Sequence, residues 1–285
     1  MDEAAAARLA QAVLQGGRHP LARALSVVEN RWAGWSELMS VFHGNRGSAK
    51  VIGITGGAGT GKSTLTCALA EALLAKGQRI AIVAIDPSSP LSGGAVLGDR
   101  VRMSALADSG VYIRSLATRG AVGGLCQAAR DVVDVLDAAA FGIVLVETVG
   151  IGQDEVDVMR LADEVLLICT PGQGDGVQAI KAGVMEIADI FVVNKSDQAG
   201  AHQVVSQLEQ MLATRGDPAR RTRSIFSTTA RTGEGVGALA DRLLCGGAGR
   251  TRRPYSEQEL ADEVLRLVQP QLLQALQRRP DVGHH

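Results

Sequence analysis

Apolar residues in the middle of the chain form short, nearly continuous runs rather than alternating with polar residues. Such runs are typical of strands that are buried on both faces, as in a parallel sheet covered by helices. Helical stretches separate the runs, and this succession predicts an α/β fold with a mostly parallel central sheet flanked by helices. The pattern predicts strands at residues 51–56, 79–86, 111–117, 141–148, 165–170, 190–195 and 224–230.

Helical patterns lie on either side of this region. Residues 2–15 and 21–42 carry apolar side chains at helical spacing, and a capping box at Ser256 and Glu259 opens a predicted helix over 256–277. The central region also contains a predicted helix over 65–77. We therefore divide the chain into an N-terminal helical extension, an α/β domain and a C-terminal helical segment that is a candidate dimer contact, with bounds at 1–46, 47–246 and 247–285.

Composition narrows the class of protein. The formal net charge of the 285 residues is -1, without a long block of one sign, which argues against a nucleic-acid partner. No secretory signal and no apolar run of membrane-spanning length is present, so we expect no membrane partner. The widely spaced cysteines predict reduced thiols in a cytoplasmic protein; they are Cys67, Cys126, Cys169 and Cys245.

The strongest motif is GGAGTGKST, which begins at Gly56 and fits the pattern G-x-x-x-x-G-K-[ST] between a predicted strand and a predicted helix. In such a loop the backbone N–H groups surround phosphates, the lysine reaches the β- and γ-phosphates, and the serine hydroxyl binds Mg²⁺. The motif predicts a nucleotide-binding loop whose contacting residues are Gly57, Ala58, Gly59, Thr60, Gly61, Lys62, Ser63 and Thr64.

Two later motifs indicate that the base is guanine. NKSD ends a predicted strand, and the carboxylate of Asp197 can accept hydrogen bonds from guanine N1–H and the exocyclic amine, a donor pair that adenine lacks. Asn194 and Lys195 would brace the ring and the phosphate loop. STTA follows the last predicted strand as a loop whose backbone contacts the guanine oxygen, or alternatively as an ordinary strand end; its residues are Ser227, Thr228, Thr229 and Ala230.

Three carboxylates are candidates for the metal environment beside Ser63. Asp86 ends the second predicted strand, Asp99 lies in the glycine-rich segment GGAVLGDRVRM, and Glu147 ends an apolar strand in ETVG. Mg²⁺ needs few protein oxygens, because phosphates and water complete its coordination. Each carboxylate could instead be a helix cap or a turn residue.

The residue after the glycine of ETVG bears on the rate of hydrolysis. Many small GTPases place a water-orienting glutamine there, whereas this chain has Ile151, and the nearest glutamine is Gln153. We therefore expect slow GTP hydrolysis by the isolated protein, with a partner or a second segment completing the site.

Together these motifs, with DPSSP and GQGDGVQAIKAG, resemble the MeaB/MMAA/ArgK family over roughly residues 5–240. The family consists of SIMIBI-class P-loop GTPases that act as chaperones of adenosylcobalamin-dependent acyl-CoA mutases. The resemblance implies a homodimer that binds GTP or GDP with Mg²⁺. It implies further that nucleotide state controls adenosylcobalamin loading and protects or reactivates the mutase, with methylmalonyl-CoA mutase as the default client and a cobalamin adenosyltransferase as a further partner.

The resemblance also assigns roles to residues that the motifs alone leave open. It implies that Lys62, Asp99, Glu147 and Lys181 take part in catalysis. Asp175, Gln178 and Lys181 match a segment called switch III, which couples the partner to the nucleotide site. Without the family, GQGDGVQAIKAG reads only as a loop and the start of a helix.

Three other functions are compatible with a P-loop. A metallochaperone GTPase for nickel enzymes would be expected to show a Cys/His cluster near the switch segments or the N-terminus, where His19 and His43 stand alone. A binding module could hold GTP with negligible turnover. A small-molecule kinase is disfavoured by NKSD, because kinases rarely select guanine.

Overall fold

The computed structural model describes residues 1–86, 106, 109–117, 124–148, 161–172, 188–214 and 224–245. The chain falls into two compact units, residues 1–249 and 250–285. All described residues belong to the first unit. The helix predicted over 256–277 lies outside them.

The N-terminal extension consists of three helices, α1 (Glu3–Leu14), α2 (Arg18–Glu29) and α3 (Trp35–Gly44). The prediction of one helix over 21–42 was therefore wrong. The turn between α2 and α3 contains left-handed backbone at Arg31 (φ 49°) and Gly34 (φ 92°), a conformation that a helix cannot continue through. The apolar pattern continues across this turn because α2 and α3 each bury an apolar face.

The central sheet has seven described strands, and all their pairings are parallel. Their spatial order is β3-β2-β4-β1-β5-β6-β7. This arrangement confirms the predicted α/β class. The strands are β1 (Lys50–Gly56), β2 (Ile80–Asp86), β3 (Tyr112–Ala117), β4 (Ile143–Glu147), β5 (Glu164–Cys169), β6 (Ile190–Asn194) and β7 (Ser224–Thr228).

Helices cover both faces of this sheet. Beyond the N-terminal three, the described helices are α4 (Lys62–Ala75), α5 (Gly124–Ala138), α6 (Ala201–Thr214) and α7 (Val236–Cys245). None of the helices that the structure describes is long and apolar enough to cross a membrane.

Successive residues of the central strands enter different parts of the core. Val51 and Val144 belong to a buried cluster that includes residues of α1, α2, α3 and α5. Their neighbours Ile52 and Leu145 belong to a second cluster, with residues of α4 and α7. Because side chains alternate across a strand, both faces of β1 and β4 are buried, which explains their continuous apolar sequences.

Two buried carboxylates on α5 hold the segment that leads into β1. Asp134 on α5 accepts hydrogen bonds from His43 and Arg46 at 3.2 Å each, and Asp137 accepts one from the backbone N–H of Ala49 at 2.8 Å. Both carboxylates are buried. The segment between α3 and β1 is therefore tied to α5, and the strand that leads to the glycine motif begins from an anchored position.

The glycine motif lies where the chain changes direction across the sheet. After β1 the chain builds β2, β3 and β4 on one side of that strand, and then β5, β6 and β7 on the other. In open α/β sheets, ligands bind at the carboxyl ends of the strands near such a reversal. The topology thus points to the loop between β1 and α4.

Candidate nucleotide-binding site

Three glycines shape the loop between β1 and α4. The φ angles of Gly56, Gly59 and Gly61 are 149°, 77° and 88°, which L-residues rarely adopt. The crest of the loop at residues 57–59 is exposed. The loop leads into the start of α4, whose first backbone N–H groups have no partners within the helix and favour an anion.

Two of these glycines are also required by close packing. A Cβ on Gly56 would lie 2.4 Å from the carbonyl oxygen of Ile168 in β5, and one on Gly61 would lie 2.6 Å from Nδ2 of Asn194. Neither distance is compatible with a side chain. The loop is therefore held between the neighbouring strand and the NKSD motif.

Lys62 folds along the inside of the loop. Its ammonium group donates hydrogen bonds to the carbonyl oxygens of Gly56 at 2.9 Å and Gly57 at 3.0 Å. Only 8% of the residue is exposed. The positive charge is thus placed against the loop in which phosphates would bind.

Ser63 joins the first turn of α4 to the end of β4. Its hydroxyl donates a 2.7 Å hydrogen bond to Oε1 of Glu147, which is buried. In the adjacent strand, Ala84 is the register partner of Glu147, and β2 ends two residues later at Asp86. A hydroxyl and a carboxylate are hard oxygen donors, the type that Mg²⁺ prefers, so the pair fits the predicted metal environment.

NKSD is linked to the phosphate loop by two side chains. Asn194 donates through Nδ2 to the carbonyl oxygen of Thr60 at 2.9 Å, and Lys195 donates through Nζ to that of Gly59 at 2.8 Å. Lys195 itself has left-handed backbone, with φ of 57°. These contacts tie the segment predicted to read the base to the loop predicted to hold the phosphates.

The same asparagine reaches the STTA segment. Oδ1 of Asn194 accepts hydrogen bonds from the Thr228 hydroxyl at 3.2 Å and from the Ala230 backbone N–H at 3.1 Å. Asn194 is only 2% exposed. One buried amide therefore connects three separate motifs.

A cavity of about 360 Å³ opens between these motifs. Asp197 lines it and is exposed, and its carboxylate makes no hydrogen bond or ion pair to the part of the chain that the structure describes. Sequence reasoning did not select Gln198 and Arg231, which also line the cavity. Each residue directly follows one of the two motifs in the sequence, Gln198 after NKSD and Arg231 after STTA, and this position could have identified them.

Several predicted residues do not contribute to this cavity or fall outside the description. Ser227 is exposed on β7 and is not among the lining residues. Within the described ranges, no group of three or more His, Cys, Asp and Glu residues is arranged to hold a metal ion. The side chain of Asp86 lies outside the description, as do Asp99, Ile151, Gln153, Asp175, Gln178 and Lys181.

Cys169 is the last residue of β5. Burial raises the pKa of its thiol from 9.0 to about 12. The neutral thiol packs in a small apolar cluster with residues such as Phe191 and Leu208. Cys169 therefore behaves as a core residue rather than as a nucleophile.

Comparison with known proteins agrees with this geometry. The family model described as methylmalonyl-CoA mutase-associated GTPase MeaB matches residues 21–281. A protein of Pyrococcus abyssi named as a GTPase is 43% identical over 239 residues, covering 82% of this chain and 74% of that protein.

A mouse protein and a solved structure extend the likeness. The mouse protein, named methylmalonic aciduria type A homolog, mitochondrial, is 33% identical over 258 residues, covering 83% of this chain and 61% of its own length. A crystal structure described as LAO/AO transport system kinase superposes with a TM-score of 0.70 at 26% identity, covering 99% of this chain and 89% of that chain.

Proposed function

Because the chain belongs to the family of methylmalonyl-CoA mutase-associated GTPases, we propose that it is a GTP-hydrolysing chaperone of an adenosylcobalamin-dependent acyl-CoA mutase. It gates loading of the cofactor and protects or reactivates the mutase. The observation that carries this proposal is the family match over residues 21–281, which contains the whole nucleotide site described above.

The described part of the site supports guanine-nucleotide binding. The phosphates lie against the β1–α4 loop, where Lys62 and the start of α4 supply positive charge. The base occupies the cavity between NKSD and STTA, and Asp197 accepts its N1–H and amine hydrogens.

Ser63 and Glu147 would hold the magnesium ion of the nucleotide, together with Asp86 and Asp99. The 2.7 Å contact between the Ser63 hydroxyl and Glu147 places two oxygen donors at the loop. When bound, Mg²⁺ neutralises charge on the β- and γ-phosphates. Lys62 stabilises the same oxygens as negative charge develops during hydrolysis.

Turnover by the isolated protein is slow, because Ile151 occupies the position at which many GTPases orient water with glutamine. The mutase completes the site through Asp175, Gln178 and Lys181. β5 pairs with β1, and Ile168 is the register partner of Gly56. The end of β5 therefore lies beside the phosphate loop, which supports a role in signalling for the residues that follow it in the sequence.

The proposed assembly also includes a second copy of the chain and a cobalamin adenosyltransferase. The homodimer follows from the family, with the C-terminal segment 247–285 as the candidate contact. The adenosyltransferase likewise follows from the family resemblance.

The test is co-purification with candidate mutases, followed by measurement of the GTPase rate in each mixture. Methylmalonyl-, isobutyryl-, ethylmalonyl- and hydroxyisobutyryl-CoA mutases are the candidates. We expect one of them to bind and to raise the rate. Gln178→Ala and Lys181→Ala should retain GTP binding and lose the stimulation. A slow rate that no mutase changes would favour the binding module without turnover, and a fast rate for the isolated protein would contradict the proposed gating.

A further inference from the structure

Two hydroxyl groups join the NKSD loop to the STTA loop. Oγ of Ser196 and Oγ1 of Thr229 share a hydrogen bond of 3.0 Å. The backbone N–H of Ser196 also donates to the carbonyl oxygen of Thr228 at 3.0 Å. The third residue of NKSD is thus attached to the neighbouring loop at two points, through its backbone and its side chain.

The attached residue sits inside a tight turn. Lys195 has φ of 57°, and the backbone N–H of Gln198 donates to the Lys195 carbonyl oxygen at 3.0 Å. Ser196 and Asp197 are the two central residues of this turn. Contacts that hold the backbone of Ser196 therefore also orient the side chain of Asp197.

Thr229 is held within its own loop by backbone hydrogen bonds. Its backbone N–H donates to the Glu234 carbonyl oxygen at 3.0 Å, and its own carbonyl accepts from the N–H groups of Thr232 and Gly233 at 3.0 Å each. Thr229 is only 4% exposed. These bonds hold the loop after β7 together, in addition to the bonds that Thr228 and Ala230 make to Asn194.

Asp197, in contrast, has no anchor of its own in the described part of the chain. Its exposed carboxylate lines the cavity, so its position depends on the turn that carries it. A carboxylate that accepts two parallel N–H bonds needs a defined orientation to satisfy both.

We propose that the Ser196–Thr229 hydroxyl pair positions Asp197 for recognition of the guanine 2-amino group, so that Ser196 is a positioning residue for base selectivity. This inference rests on the proposed function. Loss of the pair leaves the N1–H contact in place and weakens the second contact, because a small rotation of the turn moves one carboxylate oxygen out of reach.

The experiment measures the affinities of the full chain for GDP and IDP with Mg²⁺. Hypoxanthine lacks the 2-amino group, so the IDP-to-GDP ratio of dissociation constants reports the second contact alone. In Ser196→Ala and Thr229→Ala we expect this ratio to fall about threefold to tenfold, because a misaligned carboxylate loses part of its charge-assisted bond to the 2-amino group. Thr229→Ser keeps the hydroxyl and should retain the wild-type ratio.

Thr232→Ala is the matched control, since that hydroxyl donates within its own loop, to the Thr229 carbonyl oxygen at 3.2 Å. It should leave the ratio unchanged even if the melting temperature falls. If Ser196→Ala weakens GDP and IDP equally, or leaves both unchanged, the inference is overturned. Asp197→Asn in the same assay separates the two proposals: a lost GDP preference there, with no change in Ser196→Ala, leaves the guanine site intact and rejects only the positioning role.

Discussion

The hydroxyl of Ser63 donates a 2.7 Å hydrogen bond to Oε1 of Glu147. This contact joins the first turn of α4 to the carboxyl end of β4. It brings together the serine of the phosphate loop and the carboxylate of ETVG, which are 84 residues apart in the chain.

The Ser63–Glu147 contact predicts how the Mg²⁺ dependence of binding will respond to mutation. Ser63→Ala removes one oxygen donor, so the gain in GDP affinity on adding Mg²⁺ should fall about tenfold. Titration calorimetry with and without Mg²⁺ measures that gain. Thr66→Val is the control, because among the described residues the Thr66 hydroxyl bonds only the Lys62 carbonyl oxygen, at 3.0 Å. An unchanged gain in Ser63→Ala would exclude the hydroxyl as a magnesium ligand.

Lys62→Ala should abolish tight nucleotide binding. The ammonium group lies 2.9 Å from the Gly56 carbonyl oxygen, within the loop, and charge-assisted bonds to phosphate contribute about 1.5–3 kcal/mol each. We expect GDP affinity to fall at least about a hundredfold in a fluorescence binding assay. Lys76→Ala, just beyond the other end of α4, removes an exposed lysine paired with Asp241 and should bind normally. Wild-type affinity in Lys62→Ala would contradict the phosphate-loop assignment.

Gly61→Ala should affect both stability and binding. The left-handed backbone at φ 88° costs an alanine about 1–2 kcal/mol, and the new Cβ would displace the Asn194 amide that lies 2.6 Å away. Gly77→Ala imposes a similar backbone cost at φ 79°, with nothing within 4 Å of its Cβ.

Urea unfolding and GDP titration of both glycine variants separate the two effects. We expect both to lose stability and only Gly61→Ala to lose affinity. Equal affinities would show that the contact between Gly61 and Asn194 does not matter for the nucleotide.

Cys169 should resist alkylation in the folded protein. Burial raises the pKa of its thiol to about 12, so almost no thiolate forms near pH 8. Cys245 is exposed and should react readily. Iodoacetamide labelling at pH 8, read out by peptide mass spectrometry, compares the two sites, and equal labelling of native protein would refute the burial argument.

The same shift predicts a pH dependence of stability. Because the folded-state pKa lies above the unfolded value of 9.0, the contribution of the neutral thiol is fully present below pH 9. It is lost as the pH rises toward 12, since unfolding then releases a proton. Cys169→Ala should flatten this alkaline part of the stability profile in urea unfolding.

The strands and the α/β class could be predicted from the sequence, because strands that are buried on both faces have continuous apolar sequences. The run at 141–148 corresponds to β4 (Ile143–Glu147). The helix predicted over 65–77 begins earlier, at Lys62. Its first turn consists of the polar residues Lys62, Ser63 and Thr64 of the glycine motif, so apolar periodicity could not detect it.

Relationships between elements were harder to predict. Sequence selected Ser63 and Glu147 separately, but their contact depends on β4 lying beside β1, an order that local patterns do not encode. The Ser196–Thr229 bond likewise depends on the register of two loops that follow neighbouring strands. The residue types were visible, whereas their distances required the fold.

The most direct test of the guanine-nucleotide site is the base preference of Asp197→Asn. The wild-type carboxylate only accepts hydrogen bonds, whereas an amide also donates and can match the 2-carbonyl of xanthine. Competition between GDP and XDP should show a wild-type preference for GDP that shifts toward XDP by at least about tenfold in the variant. An unchanged preference for GDP would show that Asp197 does not read the base and would contradict the account of this site.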